Sequence, residues 1–249
     1  MKNLLVALFI ICINTILSAQ MMSEKIFDFY SSLDLLDAET REKKLQAAIK
    51  SNPKEPWYYL IHAEFAELMG QKDIAEKDYK AALAVNGSSG PANGLYARFL
   101  YTSEPTDERL KLAMEYIDKA IKLDPAEGYY LIDKGNIYLE LNQFAKAIEC
   151  ADLVIKKFEE FGSDAIELKV KVYYAQGDQD KLHRFFKQTP EIMDMFFVDL
   201  DFVLLVGSIY EDVKMFDNAC GIYLGFADFL SEMEEEIPSD LAEKIQRCE

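Results

Sequence analysis

Between Gly128 and Phe161 the chain reads GYYLIDKGNIYLELNQFAKAIECADLVIKKFEEF. Apolar residues recur at helical spacing on either side of a polar break at Asn142-Gln143, which predicts two amphipathic helices joined by a tight turn. Gly135, Ala147 and Val154 are small enough for two helices to cross closely, while Leu131, Tyr138 and Phe144 supply bulk around them. The pattern returns along the chain. With Gly128 counted as position 1, position 20 is Ala147. Moving back by 34, 38 and 34 residues gives Ala113, Ala75 and Arg41; moving forward by 35 and 37 gives Leu182 and Ala219. A near-fixed period of this length marks a repeat array.

The columns of the array have physical reasons. Position 8 reads Phe29, Ala63, Ala97, Gly135, Val170, Gly207, mostly small residues that let backbones approach. Position 15 reads Gly70, Asn142 and Gly177 in three copies, residues that tolerate the left-handed backbone ending a helix. Phe29 and Arg41 make the first copy degenerate, as a terminal repeat often is. These columns resemble the tetratricopeptide repeat, a helix–turn–helix unit. The resemblance implies an all-α fold: a right-handed α-solenoid of about five to six repeats with a C-terminal capping helix and one continuous core. The expected repeats are 22–55, 56–89, 90–127, 128–162, 163–199 and 200–233, an array of 22–233, with the cap at 234–249.

Several local features fit this frame. Pro56 suits the first turn of a helix, and the 87–90 GSSG stretch reads as a flexible connector. The four extra residues of the third copy are expected between its helices, at 102–106. The second helix of the fifth copy should stop at Pro190, leaving Met193–Phe197 either to fill the resulting gap or to form a sticky segment for a partner. Ser239 is the expected cap of a final helix whose Leu241, Ile245 and Cys248 share one face. Residues 1–19 read as a signal peptide: Lys2, an apolar run from Leu4 to Ile13, and a cleavage site near Ala19/Gln20. This points to a periplasmic or secreted bacterial protein. The alternative is an N-terminal membrane anchor, for which the run is shorter than the ~20 residues of a spanning helix. Cys12 follows Ile11 rather than a small residue, which argues against lipidation.

The formal net charge of -17 argues against nucleic acid or an anionic bilayer and favours a neutral or basic protein or peptide partner. The two histidines, His62 and His183, fall in distant repeats, and no nucleotide-binding, nucleophile-elbow or zinc-protease motif is present. No catalytic residues, no metal ligands and no cofactor are therefore expected, and the chain reads as a non-enzyme. Downstream of the leader stand Cys150, Cys220 and Cys248; Cys220 and Cys248 are candidates for a disulfide that ties the cap down.

The resemblance also implies a concave groove lined by the first helix of each repeat. Carried onto this chain, its partner-binding positions are Trp57, Leu60, Glu64, Arg98, Tyr101, Tyr129, Asn136, Lys171 and Tyr174. Leu60 and Glu64 stand where the family's carboxylate-binding members carry a Lys/Asn/Arg clamp, so a peptide C-terminus is a poor candidate. A protein-interaction scaffold of the bacterial envelope, taking an extended peptide or partner helix, is the favoured function. The alternative is a glycan or small-ligand module with Trp57, Tyr101, Tyr129 and Tyr174 as stacking platforms.

Overall fold

The computed structural model describes residues 23–33, 36–188, 200–212, 214–233 and 235–248. The expected leader and the Met193–Phe197 segment lie outside the described residues. Among those residues the protein is helical throughout, with thirteen α-helices, one 3-10 turn and no strand. The chain divides into two compact units between Gln143 and Phe144. That division falls inside a repeat, and nothing in the repeat register announces it.

The first unit holds α1 (Glu24–Ser31), α2 (Ala38–Ser51), α3 (Pro56–Leu68), α4 (Lys72–Val85), α5 (Gly90–Ser103), α6 (Asp107–Leu123) and α7 (Tyr129–Glu140). The helices α3–α4 and α5–α6 form the tightest hairpins, while α1, α3, α5 and α7, the first helices of successive repeats, touch in turn. The second unit holds α8 (Phe144–Lys157), a 3-10 turn (Glu159–Phe161), α9 (Gly162–Ala175), α10 (Gln179–Gln188), α11 (Leu200–Asp212), α12 (Phe216–Glu232) and α13 (Ser239–Ile245). Here α9 touches α11, and α11–α12 is the main hairpin.

The small-residue columns are the core. Ala63, Ala97 and Val170 at position 8, and Ala75, Ala113 and Ala147 at position 20, are all fully buried. Between them pack the large residues Tyr79, Tyr96, Phe99, Ile117 and Ile137 in the first unit, and Val203, Val206 and Tyr223 in the second. Arg41 stands at position 20 of the first copy, yet it is also buried. Its Nε donates to the Leu33 carbonyl at 3.1 Å, and its guanidinium lies 5.4 Å from the centre of the Phe65 ring. A long cation thus replaces the small residue by satisfying a loop carbonyl and covering an aromatic face.

The turns repeat one geometry. Gly70, Asn142 and Gly177 take φ of 69°, 55° and 66°. After the first two, Gln71 N–H donates to Ala66 O and Gln143 N–H to Tyr138 O, each at 2.8 Å, the six-to-one bond of a helix C-cap. Lys214, at position 15 of the last copy, adopts φ 61° and is followed by the same bond, Met215 N–H to Tyr210 O at 2.8 Å. A lysine at a left-handed position gives no sequence signal, yet the backbone is the same.

Three local expectations need correction. The extra residues of the third copy do not lengthen its turn. Three residues join α3 to α4 and three join α5 to α6; the excess extends α5 to 14 residues against 13 for α3, and α6 to 17 against 14 for α4. Thr106 caps this longer α6 by accepting from Arg109 N–H at 3.3 Å. The GSSG stretch is a pinned turn rather than a loose connector. Ser89 Oγ accepts from Ala92 N–H at 3.2 Å, and Asn93 Nδ2 donates to Ser89 O at 2.7 Å and to Gly87 O at 3.1 Å. Ser239 does not cap α13; it is the first residue of that helix, behind Pro238.

The terminal helix is fixed to α12. Leu241 is fully buried with Phe226, Ala227 and Leu230, and Ile245 and Cys248 pack against the same cluster. Lys244 Nζ donates to Glu211 Oε2 at 2.6 Å, and a disulfide joins Cys220 to Cys248 across 28 positions. Cys150 is a buried thiol outside that bridge.

Two outcomes test this packing. A Cβ added at Gly207 would run into the Tyr223 ring, so Gly207→Ala should lower stability by about 1–3 kcal/mol in thermal or chemical melts. Cys248→Ser should cost about 3 kcal/mol under oxidising conditions by loss of a closed loop of this length, and hydrogen exchange should show α13 opening first.

Candidate functional site

The first helices of the first unit share one polar network. Arg98 on α5 is its centre. Its Nη2 donates to Glu64 Oε1 on α3 at 3.2 Å, and its guanidinium lies 5.9 Å from the Tyr129 ring centre on α7. Tyr101 on α5 donates to Asp133 Oδ1 on α7 at 2.7 Å. Tyr79, reaching from α4, donates to Glu67 on α3. The face is thus held together by bonds within and between successive repeats, with three carboxylates (Glu64, Glu67, Asp133) around one guanidinium.

Electrostatics follow from the low exposure. Burial pushes the Glu64 carboxyl up to about 7; the Glu67 charge adds to this, and Arg98 opposes it. Burial also raises Glu67, against the hydrogen bond from Tyr79. Burial works to lower the Arg98 pKa, but Tyr129, Asp133 and Glu64 outweigh it and the guanidinium stays charged. Tyr101 is held well above the usual tyrosine range by burial and by the Asp133 charge, so it remains a hydrogen donor.

The sequence-derived positions fare differently. Glu64, Arg98, Tyr101 and Tyr129 come together in this network. Asn136 is half-buried on α7. Trp57 is half-buried and packs against both the N-terminal cluster and the central core of the unit. Leu60 is a correction: at 1% exposure it is a core residue, because at position 5 its side chain turns toward the helix hairpins and away from solvent. In the second unit, Lys171 pairs with Glu167 one turn away on α9. Tyr174 is 49% exposed beside a small cavity of about 60 Å³ lined by Tyr173, Gly177, Leu182, Ile209 and Asp212. Among the described residues no group of three His, Cys, Asp or Glu side chains is placed to hold a metal ion.

Two features escaped the sequence reading. Asp133, 2% exposed at position 6, anchors Tyr101 from a position outside the expected groove set. The second is a coupling between columns: a glutamate at position 12 accepts from a tyrosine at position 24. Glu67 receives Tyr79, and Glu211 receives Tyr223 at 3.3 Å. Both pairs are twelve residues apart, and each tyrosine is fully buried with only its hydroxyl needing a partner. That co-occurrence within one chain was a readable signal.

Residues 107–127 and 129–156 match the family model of the tetratricopeptide repeat. No curated protein matches the chain in sequence. Among solved structures, the chain is similar to PilW, a widely conserved type IV pilus biogenesis factor, at 20% identity and a TM-score of 0.65, covering 91% of this chain and 99% of that one. It is also similar to PilF of Pseudomonas aeruginosa, at 16% identity and a TM-score of 0.61, over 90% and 94% of the two chains. A thermophilic TPR protein of Thermus thermophilus matches with a TM-score of 0.57 at 16% identity, over 69% and 90%. The chain has the fold of these helical-repeat proteins.

The raised Glu64 pKa has a pH consequence of definite sign. Between about 4.5 and about 7 the folded state holds a proton that the unfolded state has lost, so stability falls as pH rises through that window. Glu64→Gln should flatten this part of a stability-against-pH curve. An unchanged slope would mean that Glu64 is ionised in the folded protein.

Proposed function

We propose that this chain is a non-catalytic protein–protein interaction scaffold of the bacterial cell envelope, and that the face built on α3, α5 and α7 receives an extended peptide or helix of a neutral or basic partner. The observation that carries this reading is the Arg98 network. It fixes aromatic and charged side chains of three successive repeats in set positions, which is what a preorganised recognition surface requires. The excess of carboxylates on that face, together with the net charge of -17, favours a cationic partner segment over an anionic one.

The envelope setting is supported by the apolar N-terminal run and by the fold shared with PilW, a type IV pilus biogenesis factor. Among the described residues no helix is long and apolar enough to cross a membrane. The glycan reading has less behind it. Trp57 packs into two apolar clusters, Tyr101 is committed to Asp133, and the Tyr129 ring lies against Arg98, so the aromatic residues of the first unit already have protein partners.

The test is co-purification from envelope extract with wild type, Arg98→Ala, Tyr129→Ala and, as a control away from the face, Lys43→Ala on α2. A partner that depends on the face should be recovered at least about tenfold less with the first two variants at unchanged helicity, since truncating an anchor typically costs ~2 kcal/mol. Equal recovery from all four would move binding off this face.

A further inference from the structure

Glu42, His62 and Asp78 lie on the three consecutive helices α2, α3 and α4. His62 Nδ1 stands 2.5 Å from Asp78 Oδ2, and Nε2 stands 3.1 and 3.0 Å from the two Glu42 oxygens. The imidazole is only 8% exposed. A neutral imidazole carries one N–H, so one of its nitrogens would present a lone pair to a carboxylate lone pair. Both carboxylates are satisfied only when both nitrogens donate, which requires the imidazolium. The geometry therefore describes a charged histidine clamped between two acids on different helices.

The position of the clamp gives it a purpose. The α1–α2 hairpin docks on α3 through Ile26, Leu33 and Leu45 against Tyr58, Ile61 and Phe65. This is the degenerate repeat, without the small residue that Ala75 and Ala113 supply at position 20 of the next two copies. The charged groups facing His62 are Glu42 from α2 and Asp78 from α4; Arg41, beside Glu42, is turned to the Leu33 carbonyl and the Phe65 ring. Burial works to lower the His62 pKa, but the hydrogen bonds and charges of Asp78 and Glu42 outweigh it, and the net shift is upward.

We infer that His62 is a protonation-dependent latch that holds the α1–α2 hairpin on the first full repeat, tight when the imidazole is charged and loosened when it is neutral. The sign follows from linkage. The latch acts fully below the ordinary histidine pKa of 6.5 and is lost as pH rises through the raised value of the folded protein. Loosening exposes the apolar face of Tyr58, Ile61 and Phe65 and frees an edge of the repeat array next to the proposed recognition face.

The chain supplies its own reporter, because its single tryptophan, Trp57, packs against the N-terminal cluster. Raising the pH from about 6 to about 9 should shift Trp57 emission to the red and speed amide exchange in α2, after correction for intrinsic rates, by about tenfold per unit of His62 shift. The midpoint should lie above 6.5. His62→Gln should abolish the step, Glu42→Gln should move its midpoint down, and Glu64→Gln should leave it in place, which separates the latch from the Glu64 titration on the same helix. If His62→Gln fails to fold, the imidazole proton resonance of the wild type, assigned against a His183→Gln variant, decides the matter. A His62 midpoint at or below 6.5, α2 exchange that ignores the titration, or a midpoint unmoved in Glu42→Gln would each overturn the latch.

Discussion

Close approach of paired helices at two columns of small residues is the constraint on which the structure depends. Ala63, Ala75, Ala97 and Ala113 lie in one buried cluster between paired helices, with no surface left exposed at any of them. Helices that close need a turn that reverses the chain in very few residues. The left-handed residue at position 15 and the six-to-one bond after it provide that turn. The large residues then fill what remains, so that Tyr79 and Tyr223, both fully buried, must find a hydroxyl partner, which Glu67 and Glu211 supply. Packing at the columns thus dictates the turn, the aromatic filler, and finally a carboxylate on the first-helix face.

That sequence of causes explains why the fold was legible and the face less so. Small residues at fixed spacing can be counted, and glycine or asparagine at position 15 declares its backbone. Lys214 shows the limit, since it holds the same φ without any compositional sign, relying on packing on both sides of the turn to impose it. Leu60 shows another. The family's groove positions were carried over by number, but whether a side chain at position 5 faces solvent depends on how far each helix is rotated about its axis, which spacing alone does not fix. The third copy shows a third: four extra residues could enter a turn or extend helices, and Thr106, an effective cap, decides for the helices.

Some polar couplings of the first unit follow a rule that the repeat itself makes readable. Four of them run from one repeat to the next, with partners about one period apart: Arg98 with Glu64, Arg109 with Glu76, Lys72 with Glu104, Tyr101 with Asp133. Stacking the copies in register places Glu64 and Arg98 both at position 9, opposite charges in adjacent rows. Such pairs between half-exposed side chains contribute little each. Arg98 and Glu64 differ because burial strips them of water, and a carboxyl pushed up to about 7 means that their attraction does not fully offset that loss. Such a buried pair is weak support for the fold, since an apolar pair of similar size would hold the helices at least as well.

The N-terminal repeat carries the same argument to its end. Where the array begins, the small-residue column fails: Arg41 occupies position 20 and Phe29 position 8. Close backbone packing is then unavailable, and the hairpin depends on side chains that reach, Arg41 to a loop carbonyl and Glu42 to His62. Interior repeats are held chiefly by shape at the small-residue columns. The terminal repeat is held partly by charge, which a proton can change. The register that makes the array predictable therefore also marks, by its breakdown at Arg41, a hairpin whose attachment depends on side chains that a proton can change.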